Sequence, residues 1–94
     1  MPVERAVVER ALAQVNAGRP RGLEARLESF SPPGRFVLSF PPRAMPEGQC
    51  IDQDFTDVQF LLLERDSVTT GIQSGRFDDE SQRYWIEYDV VEWD

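Results

Sequence analysis

The last twelve residues constrain the fold of this chain more than any other stretch, because apolar and polar residues alternate along them. Residues 83–94 include both tryptophans and both tyrosines of the chain. Successive side chains of a β-strand point to opposite faces of a sheet, so the alternation predicts a closing strand with two unlike faces. One face is apolar and predicts core: Tyr84, Ile86, Tyr88 and Val90. The other mixes indoles with carboxylates and predicts a partly wet surface: Trp85, Glu87, Asp89, Val91 and Trp93.

Length and composition predict one domain over residues 1–94 with a single core. Of the 94 residues, 40% are hydrophobic and 11% aromatic, which is too apolar for a disordered chain. No apolar run approaches the ~18–20 residues that span a bilayer, and the N-terminus lacks the basic-then-apolar order of a signal peptide. We therefore expect a cytoplasmic protein without membrane contact.

The rarest residue types exclude whole classes of chemistry. The chain has no histidine and a single cysteine, Cys50, so Ser-His-Asp and Cys–His catalysis, an intramolecular disulfide and most zinc sites are impossible. No catalytic or cofactor motif is present, and we expect a protein that is not an enzyme and has no cofactor and no metal. The alternative is a small enzyme that uses only Asp, Glu, Arg or Tyr, which requires a pocket that a sequence cannot show.

The net charge of −7 resides in the C-terminal half. Residues 1–51 hold seven arginines and five acids, whereas residues 52–94 hold three arginines and twelve acids. An acidic surface repels phosphate and attracts basic surfaces. We therefore expect no direct binding of nucleic acid, and a basic protein as the partner, such as a nuclease or another nucleic-acid-binding protein.

Before the closing strand, the sequence predicts a helix and a hairpin. Apolar residues recur at steps of three and four over residues 3–16, the period of an amphipathic helix. The period changes to two over residues 22–30 and again over 35–40, and the Ser-Pro-Pro-Gly sequence between them indicates a turn. Residues 41–49 hold three prolines and predict a loop.

Residues 55–64 are the most apolar stretch, and we predict a central strand there, covered on both sides. A short buried helix is the alternative for a run of this length. A shorter strand over 68–72 and a turn over 74–81 follow. Together these elements predict an α+β fold, in which the N-terminal amphipathic helix packs on a mostly antiparallel sheet of about five strands.

Residues 52–56, Asp-Gln-Asp-Phe-Thr, resemble the D-x-D-x-T loop of haloacid-dehalogenase-type phosphatases. In that family the first Asp is a nucleophile and both help to hold magnesium. The motif there follows a buried parallel strand in a much larger α/β domain, a context that this chain lacks. We interpret these acids as solvated loop residues, and their spacing to the acids of the last turn does not match a calcium-binding loop.

The aromatic and acidic face of the closing strand is the predicted partner-binding surface. Tryptophans are common interface anchors, and flanking carboxylates pair with Arg or Lys of a partner. The predicted binding residues come from that face and from the last turn: Trp85, Glu87, Asp89, Trp93, Asp78, Asp79 and Glu80. The alternative is that the tryptophans pack within the fold while Glu87 and Asp89 protect an edge strand from pairing.

These features lead to two functional hypotheses besides the small enzyme. The first is a small acidic protein that inhibits or neutralises a basic partner, as an immunity protein or a phage-encoded inhibitor does. The second is a structural module whose C-terminal strand pairs edge-to-edge with its own copy in a homodimer or larger homo-oligomer.

Overall fold

A computed structural model describes residues 4–19, 21–32, 34–41 and 52–93, excluding the side chains of residues 52–54, 92 and 93. Within these residues the chain forms two helices and four strands. In chain order they are α1 (Arg5–Ala17), β1 (Arg26–Ser31), β2 (Arg35–Phe40), α2 (Asp52–Asp66), β3 (Val68–Asp78) and β4 (Arg83–Trp93). The predicted α+β fold with an N-terminal helix is confirmed, although the sheet has four strands and not five. The predicted loop over 41–49 lies outside the described residues from residue 42 onwards.

The four strands form one antiparallel sheet in the order β1-β2-β4-β3. The closing strand β4 is therefore an interior strand, and the edges are β1 and β3. Both helices contribute to a single core on one face of the sheet. The fully buried sheet residues of this core alternate along β2 and pair with β4: Phe36 opposite Tyr88, Leu38 opposite Ile86, and Phe40 opposite Tyr84.

The prediction of a central strand over residues 55–64 is wrong, because this stretch lies within α2. Three of its apolar residues are buried at helical steps of three and four: Phe55, Val58 and Leu62. Two others, Phe60 and Leu63, are exposed, so the apolar residues of this stretch do not all face the core. The Asp-rich residues 52–56 begin this helix and do not form a loop, since acids favour the first turn of a helix.

The C-terminal end of α1 is joined to the start of the sheet by one side chain. Asn16 Nδ2 donates a hydrogen bond to the Ala25 carbonyl at 3.0 Å, and the Ala25 N–H donates to Asn16 Oδ1 at 2.8 Å. The carboxamide thus pairs with the backbone as a neighbouring strand would. This pairing fixes where the chain enters β1.

The connection between β3 and β4 is shorter than the sequence suggested. The predicted turn over 74–81 is wrong for residues 74–78, which continue β3, and the turn itself occupies residues 79–82. A bulge between Ile72 and Ser74 keeps the strand in register with β4 on either side. None of the described helices is long and apolar enough to cross a bilayer.

Tyr88 joins the sheet to α2. Its ring stacks on Phe36, with centroids 5.0 Å apart and planes at 11°. Its hydroxyl donates a hydrogen bond to the backbone carbonyl of Phe55 at 2.9 Å. The side chain is fully buried, and burial raises the pKa of the hydroxyl far above its ordinary value because the charged form is not solvated there.

Replacing Tyr88 by Phe should lower the free energy of unfolding by about 1–2 kcal/mol, because the substitution removes the hydrogen bond and keeps the ring stack. Tyr84→Phe is the matched control, since within the described residues the Tyr84 hydroxyl makes no hydrogen bond, and it should change stability by less than about 0.5 kcal/mol. Urea denaturation followed by circular dichroism measures both. Equal effects would contradict the assigned link to α2.

The raised pKa of Tyr88 predicts that the free energy of unfolding depends on pH. An unfolded tyrosine ionises near pH ~10, whereas the raised pKa keeps Tyr88 neutral in the folded chain. The stability contributed by this group is complete below pH ~10 and is lost above it, by about 1.4 kcal/mol per pH unit. The stability difference between the wild type and Tyr88→Phe should therefore shrink between about pH 9 and about pH 11. A difference that stays constant in urea titrations over that range would contradict the pKa shift.

Candidate protein-binding surface

The face of the sheet opposite the helices is called the open face here, and its end at Ser39 and Arg83 is buried, in part by the segment before β1. Three rows of residues cross it from β2 through β4 to β3. Each row is centred on one residue of β4: Ser39–Trp85–Arg76, Val37–Glu87–Ser74 and Arg35–Asp89–Gly71. The structure thus brings Trp85, Glu87 and Asp89 together in one line, away from the core, as the alternation predicts.

Trp85 is half-buried on the open face and is held by contacts within its own chain. The guanidinium carbon of Arg76 lies 5.3 Å from the centroid of the Trp85 ring, in a cation–π contact. The indole Nε1 donates a hydrogen bond to Ser81 Oγ at 3.1 Å. These two contacts fix the orientation of the indole on the open face.

Ser81 connects Trp85 to the acidic turn, defined here as residues 78–80. The Ser81 N–H donates to Asp78 Oδ2 at 2.9 Å, and Arg76 Nη1 donates to Asp78 Oδ1 at 3.2 Å. Hydrogen bonds from the side chain and backbone of Ser81, and then the contact with Arg76, hold the pKa of Asp78 below its ordinary value. The acidic turn and the open face are therefore one continuous surface.

The carboxylates of this surface differ in what they already bind. Asp78 uses both of its oxygens, one with Arg76 of β3 and the other with Ser81, and Asp89 forms an ion pair with Arg35 at 3.5 Å. The remaining three have no hydrogen bond or ion pair to their side chains from the described part of the chain: Glu87, Asp79 and Glu80. These three are the carboxylates that remain open to a partner.

The simple alternation does not extend to the end of β4. In β3, Thr69 pairs with Glu92 and the next residue, Thr70, pairs with Val90. The pairing therefore passes over one residue of β4, and the regular alternation of its faces is interrupted between Val90 and Glu92. The backbone of Trp93 pairs with that of Val68, a residue of the core. The predicted role of the Trp93 side chain lies outside the described residues.

The interior position of β4 corrects two of the sequence-based expectations. Glu87 and Asp89 do not protect an edge strand, because β4 pairs with β2 on one side and with β3 on the other. For the same reason, β4 cannot pair edge-to-edge with a second copy of the chain. Any self-association through strands must use β1 or β3.

Arg83, which the sequence did not single out, anchors one end of the open face. It is buried and donates three hydrogen bonds: to Ser39 Oγ at 2.8 Å, to the Ser39 carbonyl at 2.8 Å and to the Glu24 carbonyl at 2.7 Å. Ser39 Oγ in turn donates to Glu28 Oε1 at 2.6 Å. Burial lowers the pKa of Arg83, but a guanidinium starts so high that it stays charged. The network ties β4 to β2 and to the segment before β1.

The acids that precede the sheet are not part of this surface. Asp57 lines a hollow between α1 and α2, on the helix side of the sheet. The side chains of Asp52 and Asp54 lie outside the description. Within the described residues, no three groups of His, Cys, Asp or Glu are placed to hold a metal ion.

Sequence reasoning missed the basic residues of the surface. The sequence predicts a turn at Arg76, although Arg76, Phe77 and Asp78 continue the alternation of β3 up to the four-residue turn. This alternation in the sequence indicates that the strand extends to residue 78. Arg35 was placed correctly in a strand, but its pairing with Asp89 depends on the β2–β4 register, which a strand pattern alone does not give.

Comparison of the chain with protein-family models, with curated proteins and with solved structures returned no match.

Replacing Arg83 by Lys should lower the free energy of unfolding by about 2 kcal/mol, because one ammonium cannot reproduce the forked donors that reach two separate segments. Arg35→Lys, an exposed change in the same sheet, is the control and should alter stability by less than about 0.5 kcal/mol. Thermal and urea denaturation measure the difference. If both substitutions cost the same, the Arg83 network does not hold the open face together.

Proposed function

We propose that the chain binds a basic protein through the open face and the acidic turn, and that it inhibits or neutralises this partner. The observation that carries the proposal is Glu87. Glu87 is a half-buried residue on the interior strand of the sheet, and its carboxylate has no hydrogen bond or ion pair with the described part of its own chain. A carboxylate without a partner in its own chain is free to form a charge-assisted hydrogen bond with a cation of another protein.

The surroundings of Glu87 favour contact with an Arg or Lys of a partner. Its cross-strand neighbours are Val37 and Ser74, neither of which is charged. Trp85 and Asp89 flank it along the strand. In many protein interfaces, an aromatic side chain next to a charged one contributes much of the binding energy.

Two arginines on the same face repel a basic partner. The proposal therefore predicts the direction in which their removal changes the binding affinity. Arg76 covers part of Trp85, and Arg35 partly neutralises Asp89. Removing Arg76 should expose more of the indole and make the surface more negative. A purely structural role for Trp85 would instead predict that loss of Arg76 weakens both the fold and any interaction.

The charge of the whole chain supports the same type of partner. A net charge of −7 accelerates association with a basic protein by long-range attraction, and salt weakens this attraction. A partner whose basic face binds nucleic acid would lose access to phosphate when the acidic surface covers it. This is the mode of action expected of an immunity-type or phage-type inhibitor.

The partner should be identified first. The immobilised chain would be exposed to an extract of the organism that encodes it, and bound proteins identified by mass spectrometry. We expect a basic protein whose activity on nucleic acid falls when the purified chain is added in equimolar amount. Capture of only acidic proteins, or a complex that salt does not weaken, would contradict the proposal.

A variant series then tests the surface with the captured protein. Glu87→Gln should weaken binding about ten-fold and Trp85→Ala about thirty-fold or more, whereas Arg76→Gln should strengthen it several-fold. Glu64→Gln is the matched control, because Glu64 is an exposed acid on α2 and its loss changes the net charge equally. Isothermal titration calorimetry gives the affinities, and melting temperatures show whether each variant is folded. Equal effects of Glu87→Gln and Glu64→Gln would mean that only net charge matters and that the open face is not the site.

A further inference from the structure

The two side chains that flank Glu87 along β4 each hold a guanidinium group of their own chain. On one side, the guanidinium carbon of Arg76 lies 5.3 Å from the centroid of the Trp85 ring. On the other side, Asp89 forms an ion pair with Arg35 at 3.5 Å. Glu87 lies between them, and its carboxylate has no hydrogen bond or ion pair with the described part of the chain. Both neighbours of Glu87 on this face thus bind guanidinium groups, and the central carboxylate binds none from the described residues.

The contact between Arg76 and the indole can be exchanged for another at low cost. The Arg76 side chain is 63% exposed, and its Nη1 also donates a hydrogen bond to Asp78 Oδ1 at 3.2 Å. A cation–π contact and an ion pair at such an exposed position are both weak. Asp78 can keep Arg76 when the guanidinium leaves the ring, because this hydrogen bond does not involve the indole. Arg76 therefore marks a position on the indole that another guanidinium can take.

The spacing between the indole and the unpaired carboxylate suits the shape of an arginine side chain. Trp85 and Glu87 lie on the same face of β4 two residues apart, which is about 7 Å along a strand. A guanidinium is planar and has five N–H donors, so its face stacks on an aromatic ring while its edge donates to a carboxylate. A lysine ammonium is a compact, strongly hydrated charge without a flat face or a fork of donors.

We infer that the partner contacts the open face through an arginine, which displaces Arg76 from the Trp85 ring and donates hydrogen bonds to Glu87. This inference rests on the proposed function, because it names the residue type by which the basic partner binds there. Arg76 is then a competitor for the indole as well as a like charge. Of two basic proteins with equal charge, the surface prefers the one that presents an arginine.

Two peptides of equal length and charge, octa-arginine and octa-lysine, test this preference by isothermal titration calorimetry with the purified chain. We expect octa-arginine to bind at least about ten-fold more tightly at the same salt concentration. Trp85→Leu should reduce this difference to less than about two-fold, because the ring that distinguishes the two cations is gone. Glu64→Gln removes an exposed acid of α2 and is the control for net charge, so it should leave the ratio of the two affinities unchanged.

Arg76→Lys separates competition for the ring from charge, because it keeps the net charge and removes the stacked guanidinium. It should strengthen the binding of octa-arginine about three-fold and leave the binding of octa-lysine unchanged. Arg5→Lys is the matched control, since Arg5 is an exposed residue of α1 that pairs with Glu9, on the helix side of the sheet. This control should change neither affinity.

Circular dichroism shows whether each variant is folded, and if Trp85→Leu does not fold, the comparison of Arg76→Lys with Arg5→Lys decides the question. Equal affinities of the wild type for the two peptides overturn the inference and leave the proposed basic partner standing. An Arg76→Lys variant that behaves like Arg5→Lys, or a wild type that binds neither peptide, also overturns it. The proposed function fails separately, when the immobilised chain captures no basic protein.

Discussion

The structure depends on the position of β4 in the interior of the sheet, and Tyr88 of this strand joins the sheet to α2. Its ring lies flat on Phe36, and its hydroxyl reaches the backbone carbonyl of Phe55. A tyrosine can be fully buried only when its hydroxyl finds an acceptor. The helix provides that acceptor, so the buried side chain of Tyr88 fixes α2 relative to β4.

Once β4 is interior, the two faces and the two edges of the sheet acquire different roles. The core face takes the apolar residues of β2 and β4 and is covered by both helices. The open face has charged and aromatic residues held by contacts such as Arg76 with Trp85 and Arg83 with Ser39. Charge is concentrated on the open face and the acidic turn, whereas the β3 edge has none over residues 68–75. The charged groups of the sheet are therefore gathered at one face and one turn.

The candidate site could be predicted in part, because alternation in a strand assigns faces without any knowledge of the neighbouring strands. It correctly separated Trp85, Glu87 and Asp89 from Tyr84, Ile86 and Tyr88. It could not show that Asp89 is already paired with Arg35, that Arg76 lies over the indole, or that Ser81 links the turn to Trp85. Those contacts follow from the register and from the exact extent of β3, neither of which local pattern specifies.

Residues 55–64 show the limit of pattern most clearly. A run of apolar residues fits a buried strand and a helix equally well, and only the sheet beside it decides which residues are covered. The sequence by itself determined the α+β class, the N-terminal helix, the two faces of the closing strand and the acidic character of the C-terminal half, because these depend on local periodicity and composition. Only the tertiary structure decided that β4 is interior, that β3 is an edge, and which carboxylates remain unpaired. These properties depend on strand order and on contacts between residues far apart in the chain.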